Sequence, residues 1–309
     1  MRNTFINTIL EACKERDDIF ILSGDAGLGV FDRFKEEYPD RFRNMGAAEQ
    51  NTVSFAAGLA MTGYKVIVYN IIPFLLYRCY EQVRNDICCQ GLPVVLVGIG
   101  SGITYAPQGM SHYSVEDLGL VQTLPDLVAI SPIDPCEARA AASYALDCHK
   151  PVYVRLAKNG EPLFHQHEVT NIAAPQIIRN GEHADTAILF HGSVANEVMA
   201  AYETLKDRSR APLVVSVPTL QPFDVPAIAG ILSGFKNVVS VEEHYSNCGL
   251  GGMLARLKAE TCADWQLTSM GIPYGYIHDV RKTAGLRASL GIATEYIVRS
   301  VEAVSGFAS

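Results

Sequence analysis

Long apolar runs, basic clusters and paired metal-ligand spacings are all missing from this sequence of 309 residues. No apolar stretch approaches the roughly 20 residues that a membrane-spanning helix needs, and no signal pattern precedes Thr4. There is no run of lysine or arginine, and the net charge is −8, which argues against a general binder of nucleic acid or acidic membrane. The eight cysteines are scattered, two of them adjacent at Cys88 and Cys89, with no Cys-x-x-Cys and no histidine at ligand spacing. A disulfide framework or a zinc site is therefore disfavoured, and buried, reduced thiols are expected. Gly24-Asp25-Ala26-Gly27-Leu28-Gly29 has neither the Gly-x-Gly-x-x-Gly spacing nor the lysine of a P-loop, so it needs no phosphate. What these exclusions leave is a soluble cytoplasmic protein without a nucleic-acid or membrane partner. Its length suits two domains, and its 49% hydrophobic and 19% charged content suits a globular α/β chain.

Several segments carry the fold. Thr4 to Arg16 has helical apolar spacing, and Ile19-Phe20-Ile21-Leu22 reads as a buried strand. A short helix from Phe31 to Tyr38 stops at Pro39, and Val66 to Tyr69 is a second strand. Pro73 opens a long helix from Phe74 to about Cys89. Leu92-Pro93-Val94-Val95-Leu96-Val97-Gly98 is the near-continuous apolar strand of a parallel sheet covered on both faces. Val128 to Pro132 and Pro151 to Lys158 are further strands, with a helix from Pro135 to about Cys148 between them. Periodicity fades after Gly160, which marks a linker. It returns with strands at Thr186 to Phe190, Leu213 to Val217 and Asn237 to Glu242, and with helices at Ala195 to Leu205, Leu286 to Leu290 and Ala293 to Val304. The expected fold is α/β, with two doubly wound, mainly parallel-sheet domains at 1–162 and 185–309 joined by a linker at 163–184.

The chemistry centres on Gly46-Ala47-Ala48-Glu49-Gln50-Asn51 and the small-residue helix after it. The glycine and alanines let another molecule approach closely, and a lone acid in a dry corner would have its pKa raised toward that of a general acid–base group. The alternative is that Glu49 is simply an acid in a first helical turn, favoured by the macrodipole.

This segment, with the Ala-Ala-Gly-Leu-Ala after it, resembles the pyrimidine-binding domain of the transketolase family, which includes deoxyxylulose phosphate synthase. The resemblance runs in register over nearly the whole chain, and several ordered motifs together are a strong signal. It implies that thiamine diphosphate is the cofactor and that Glu49 holds its aminopyrimidine ring. Phe74 and then Tyr77 are the expected stacking aromatics, with Arg78 beside them; an aromatic stripe of this spacing, Tyr80 included, can equally be core. Gln108-Gly109-Met110-Ser111-His112 resembles the family's Gly-Pro-Thr-His stretch, which implies that His112 lines the site and meets the substrate. The family carries an aspartate where Gln108 stands, so a hydroxyl-reading carboxylate has become an amide that both donates and accepts. Lys158 falls where the family often has a phosphate-binding arginine, against the alternative of a solvated strand-end lysine. Asp25 borders the active-site entrance in the family, against the alternative of capping a turn. Glu243-His244 and Gly249-Leu250-Gly251-Gly252 match the family's C-terminal domain, where such residues support dimer packing.

The resembled enzymes hold the diphosphate through Mg²⁺ in a further, N-terminal domain marked by Gly-Asp-Gly and a downstream asparagine. Nothing in this sequence fits that signature. The resemblance therefore implies the C-terminal subunit of a split transketolase. A separate N-terminal subunit would bind the diphosphate and Mg²⁺ in an α2β2 heterotetramer. The reaction would pass a two-carbon ketol unit from a ketose or ketose phosphate to an aldose. The β subunit of a 2-oxoacid dehydrogenase E1 component and a deoxyxylulose-type carboligase are the alternative enzymes, and a degenerate regulatory subunit is the alternative without activity.

Overall fold

The computed structural model describes residues 1–27, 29–158, 160–181 and 184–305. Leu28 of the Gly-rich loop, Glu182 and His183 of the expected linker, and the C-terminal residues 306–309 lie outside the described residues.

In chain order, α1 (Arg2–Ala12) leads to β1 (Ile19–Ser23), α2 (Asp32–Glu37), β2 (Phe42–Asn44), α3 (Glu49–Met61) and β3 (Lys65–Ile71). An irregular helical stretch containing α4 (Tyr80–Gln82) precedes β4 (Val95–Ile99), α5 (Asp117–Val121), β5 (Val128–Ile130), α6 (Pro135–Asp147) and β6 (Val152–Leu156). The remainder is β7 (Gln176–Arg179), β8 (Thr186–Phe190), α7 (Ala195–Asp207), β9 (Leu213–Ser216), β10 (Thr219–Gln221), α8 (Val225–Leu232), β11 (Asn237–Tyr245), α9 (Leu250–Thr261), β12 (Gln266–Ile272), α10 (Thr283–Ser289) and α11 (Thr294–Val304).

Two mainly parallel sheets form, of seven strands in the order β10-β5-β6-β4-β3-β1-β2 and five in the order β12-β11-β8-β9-β7. Every residue of β1, β4 and β6 is buried, as layers on both faces of a parallel sheet require. On one face α1 and α6 pack Phe5 and Ile9 against Ala138, Ala141, Ala142 and Ala145. On the other, Val53, Ala56, Ala57 and Ala60 of α3 meet Leu75, Leu76 and Val83. The alanines bring α3 close to the sheet, and its first turn therefore opens directly at the sheet's carboxyl edge.

Three expectations need correction. The long helix from Phe74 to Cys89 is wound as wide π turns at Pro73–Tyr77 and Val83–Cys88 around α4. Arg78 N accordingly bonds to Pro73 O five residues back. In such a turn, residues three apart no longer share a face, so the aromatic stripe splits. The expected linker contains β7, an edge strand antiparallel to β9. And β10, from the C-terminal half of the sequence, joins the first sheet antiparallel to β5, so the two sheets do not partition cleanly by sequence.

The glycines after β11 serve a close contact within the chain. Glu242 accepts from the backbone N–H groups of Leu250 and Gly251, both at 2.8 Å. A side chain at Gly249 would place its first carbon 1.9 Å from that carboxylate. Burial pushes the Glu242 carboxyl up, while those N–H groups and the nearby His244 work against the rise.

Candidate active site

Parallel sheets bind ligands at their carboxyl edge. The expected site residues lie just beyond the ends of five strands of the first sheet: Asp25 after β1, Glu49 after β2, Phe74, Tyr77 and Arg78 after β3, Gln108 and His112 after β4, and Lys158 after β6. Asn44 starts the Glu49 corner by accepting from Gly46 N at 2.8 Å, with Gly46 at φ +65°, where glycine is at ease. Ala48 caps α3 without a side-chain hydrogen bond, and Glu49 is the acid of its first turn.

Glu49 is 8% exposed, as the crowded corner requires. It is not a lone acid, however. Arg78 Nη1 donates to Glu49 Oε2 at 2.7 Å, and the Arg78 guanidinium lies 4.6 Å from the centre of the Phe74 ring. Phe74 in turn meets the edge of His112, ring centres 5.2 Å apart at 73°. His112 stands 6.1 Å from Tyr105, and Lys158 Nζ sits 5.1 Å over the Tyr105 ring. A continuous line of contacts thus runs from Glu49 through Arg78, Phe74, His112 and Tyr105 to Lys158. Tyr105 is not among the residues the sequence singles out, because one aromatic in a loop carries no periodic signal. Burial pushes the His112 imidazole below its ordinary value, so it is neutral at neutral pH, and Ser111 Oγ lies 3.0 Å from its Nδ1.

The other expected residues stand outside this line of contacts. The Tyr77 hydroxyl donates to Glu116 Oε2 at 2.9 Å, away from Phe74, and the Glu116 carboxyl is pushed up by burial. Tyr80 is half-buried and its hydroxyl is bound to Thr123. Gln108 is exposed. Asp25 is exposed too and caps no turn among the described residues.

A ring with ring nitrogens needs a carboxyl partner and an aromatic face, and Glu49 and Phe74 stand together as such a pair, with the Arg78 guanidinium bound to the one and lying over the other. A diphosphate-bound hard cation needs several oxygen ligands. Among the described residues, no group of three or more His, Cys, Asp or Glu is placed to hold a metal ion. The same residues contain no helix long and apolar enough to cross a membrane. All eight thiols are free, but only Cys13 and Cys79 are buried, fewer than the sequence leads one to expect.

Residues 1–161 match the family described as "Transketolase, pyrimidine binding domain", and residues 176–289 match "Transketolase, C-terminal domain". An apulose-4-phosphate transketolase subunit of Actinobacillus succinogenes is 31% identical over 300 residues, 96% of this chain and 96% of its own length. The 6-deoxy-6-sulfo-D-fructose transketolase subunit SqwH of a Clostridium species is 28% identical, covering 99% of this chain and 94% of its own. Among solved structures, one described as "Split gene transketolase, inactive beta4 tetramer" superposes with a TM-score of 0.84 at 27% identity, over 98% of this chain and 96% of that one. With two of the family's domains matched and the fold shared nearly end to end with a split-gene member, the chain belongs to the transketolase family.

Proposed function

We propose that this chain is the C-terminal subunit of a split, thiamine diphosphate-dependent transketolase, active only with a separate N-terminal subunit. The observation that carries the reading is the convergence of a buried carboxylate, an aromatic face and a neutral histidine at one sheet edge. When bound, the cofactor supplies the nucleophilic carbon and the electron sink for carbon–carbon cleavage. Glu49 holds a proton at a ring nitrogen of the aminopyrimidine and so sets its tautomer. Phe74 offers the stacking face, worth about 0.5–1.5 kcal/mol beyond buried area. In the chain by itself Arg78 covers that face, held by its ion pair with Glu49 and by a cation–π contact worth about 0.5–1 kcal/mol at an exposed site, and a bound ring takes the place of both.

His112, neutral and able to accept as well as donate, reads hydroxyls of a ketose donor, with Gln108 as an amide partner. Lys158 faces a terminal anion of the substrate, a phosphate or a sulfonate such as the two relatives' names carry. The residues of this chain fit the pyrimidine end of the cofactor; the diphosphate and Mg²⁺ fall to the partner. The open face of α3, where Phe55 is 44% and Met61 63% exposed beside Asn51, Ser54 and Gly58, supports self-association into a dimer within a cytoplasmic α2β2 heterotetramer. In the mixture with the partner, Glu49→Gln and Glu49→Ala are expected to lose most activity while the circular dichroism spectrum and melting stay near wild type. An active Glu49→Ala complex removes the proposal.

A further inference from the structure

The loop that carries Tyr105 and His112 is held at both ends by residues outside the first sheet. Its two ends are first tied to each other: Ser114 N donates to Gly102 O at 2.9 Å and Ser114 Oγ to Gly100 O at 2.8 Å. On the incoming side, Ile103 N donates to Glu243 Oε2 at 3.3 Å. Gly102, at φ +61°, lies so close that a first side-chain carbon there would stand 2.4 Å from the Glu243 carboxylate. On the outgoing side, Tyr245 N donates to Val115 O at 3.0 Å, and Leu118 N donates to His244 Nε2 at 3.1 Å. Arg155 spans the two, donating through Nη2 to Ser114 O at 2.7 Å and to Glu243 O at 3.1 Å.

Glu243 is itself fixed from the second sheet's side. It is 1% exposed, ion-pairs with Arg287 and accepts from Ser193 Oγ at 2.7 Å. Arg287 also donates to Ser193 O at 2.8 Å and to Glu197 Oε1 at 3.2 Å. A buried carboxylate with a bidentate-capable partner and a hydroxyl is a stiff anchor, because any displacement leaves a charge unpaired in a dry site.

We propose that Glu243, locked by Arg287, is a positioning residue through which the C-terminal half of the chain sets the loop that presents His112. The catalytic consequence rests on the function proposed above; the mechanical one does not. Glu243 bonds the loop where it begins, so a shift at Glu243 reaches Ile103 first and through it Tyr105 and His112, while the middle of the loop is steadied separately by the Tyr113 hydroxyl, which donates to Asp279 O at 3.3 Å, and by the packing of Ala106 and Tyr113 with Ile277 and Leu286. Glu49 and Phe74 stand on α3 and the turn after β3 and make no bond to Glu243; the Phe74–His112 ring contact is where they meet the loop.

The test uses Glu243→Gln, which keeps the shape and removes the charge, with Arg287→Lys as the second variant should the first fail to fold. In the full chain without partner or cofactor, hydrogen exchange of amides 103–113 is expected to rise tenfold or more, while α1 and β1 exchange as in wild type. The ¹⁵N-histidine resonance of His112, assigned by its loss in His112→Gln, is expected to titrate closer to ordinary histidine in the variant. With the N-terminal partner, kcat/KM for D-fructose 6-phosphate as probe donor is expected to fall tenfold or more, with thiamine diphosphate affinity unchanged. Unaltered exchange and titration at 103–113, or a rise spread evenly over the chain, overturns the clamp. Loosening of the loop in a chain that binds no thiamine diphosphate in any mixture defeats the functional reading and leaves the clamp standing.

Discussion

Arg155 offers the sharpest stability prediction. It is 1% exposed near the end of β6, its Nε donates to Asp117 Oδ2 at 2.7 Å, and the Tyr153 hydroxyl donates to the same oxygen at 2.8 Å. Arg155→Met keeps most of the side-chain length but leaves the fully buried Asp117 carboxylate without its cation. Removing one partner of such a pair costs about 3–5 kcal/mol, because the remaining charge is desolvated and uncompensated. Large domains lose about 2 °C of melting temperature per kcal/mol, so a drop of roughly 6–10 °C is expected. Adding Asp117→Asn to Arg155→Met removes the stranded charge and should recover more than half of the loss. The assay is urea and thermal unfolding by circular dichroism at matched protein concentration, since self-association would shift the midpoint. A single variant within about 1 kcal/mol of wild type, or a double variant no better than the single, refutes the charge-pair argument.

Two further outcomes follow from the geometry. Phe74→Ala should weaken thiamine diphosphate binding to the reconstituted complex about tenfold, from lost stacking and area, while Tyr77→Phe, whose hydroxyl faces Glu116, should change it less than about twofold; isothermal titration separates them, and the reverse order would reassign the stacking ring. Glu137 is fully buried at the start of α6, with its carboxyl pushed up by burial to about 7, above the ordinary 4.5, the His165 charge opposing the rise. Its folded form therefore favours stability fully below about 4.5 and loses that share as pH rises through 7, so Glu137→Gln should gain stability relative to wild type between pH 5 and pH 8, by at most about 3 kcal/mol. Urea midpoints of the two proteins that run parallel across that range would contradict it.

Much of this was legible from side-chain pattern. The buried strands β1, β3, β4 and β6 are runs of β-branched and large apolar residues bounded by Gly or Pro, and the helices α3 and α6 carry their small-residue stripes openly. Motif order placed Glu49, Phe74 and His112 at one sheet edge, where the structure joins them. Pattern failed where packing overrides it. The π turns come from backbone hydrogen bonds that no side-chain period announces, and they turn Tyr77 toward Glu116. The four-residue β7 has only one buried side chain, so it carries no strand signal. The ion pair of Arg78 with Glu49 and the clamp of Arg287 on Glu243 depend on positions far apart in sequence or on the turn geometry, and spacing alone does not show them.

The proposed function requires that this chain hold only half of a cofactor site. Thiamine diphosphate with Mg²⁺ should be titrated by calorimetry into this chain, into its candidate N-terminal partner, and into the two mixed. Saturable binding is expected in the mixture alone, lost again with Glu49→Ala. Equal binding by this chain without a partner, or none in the mixture, would contradict it.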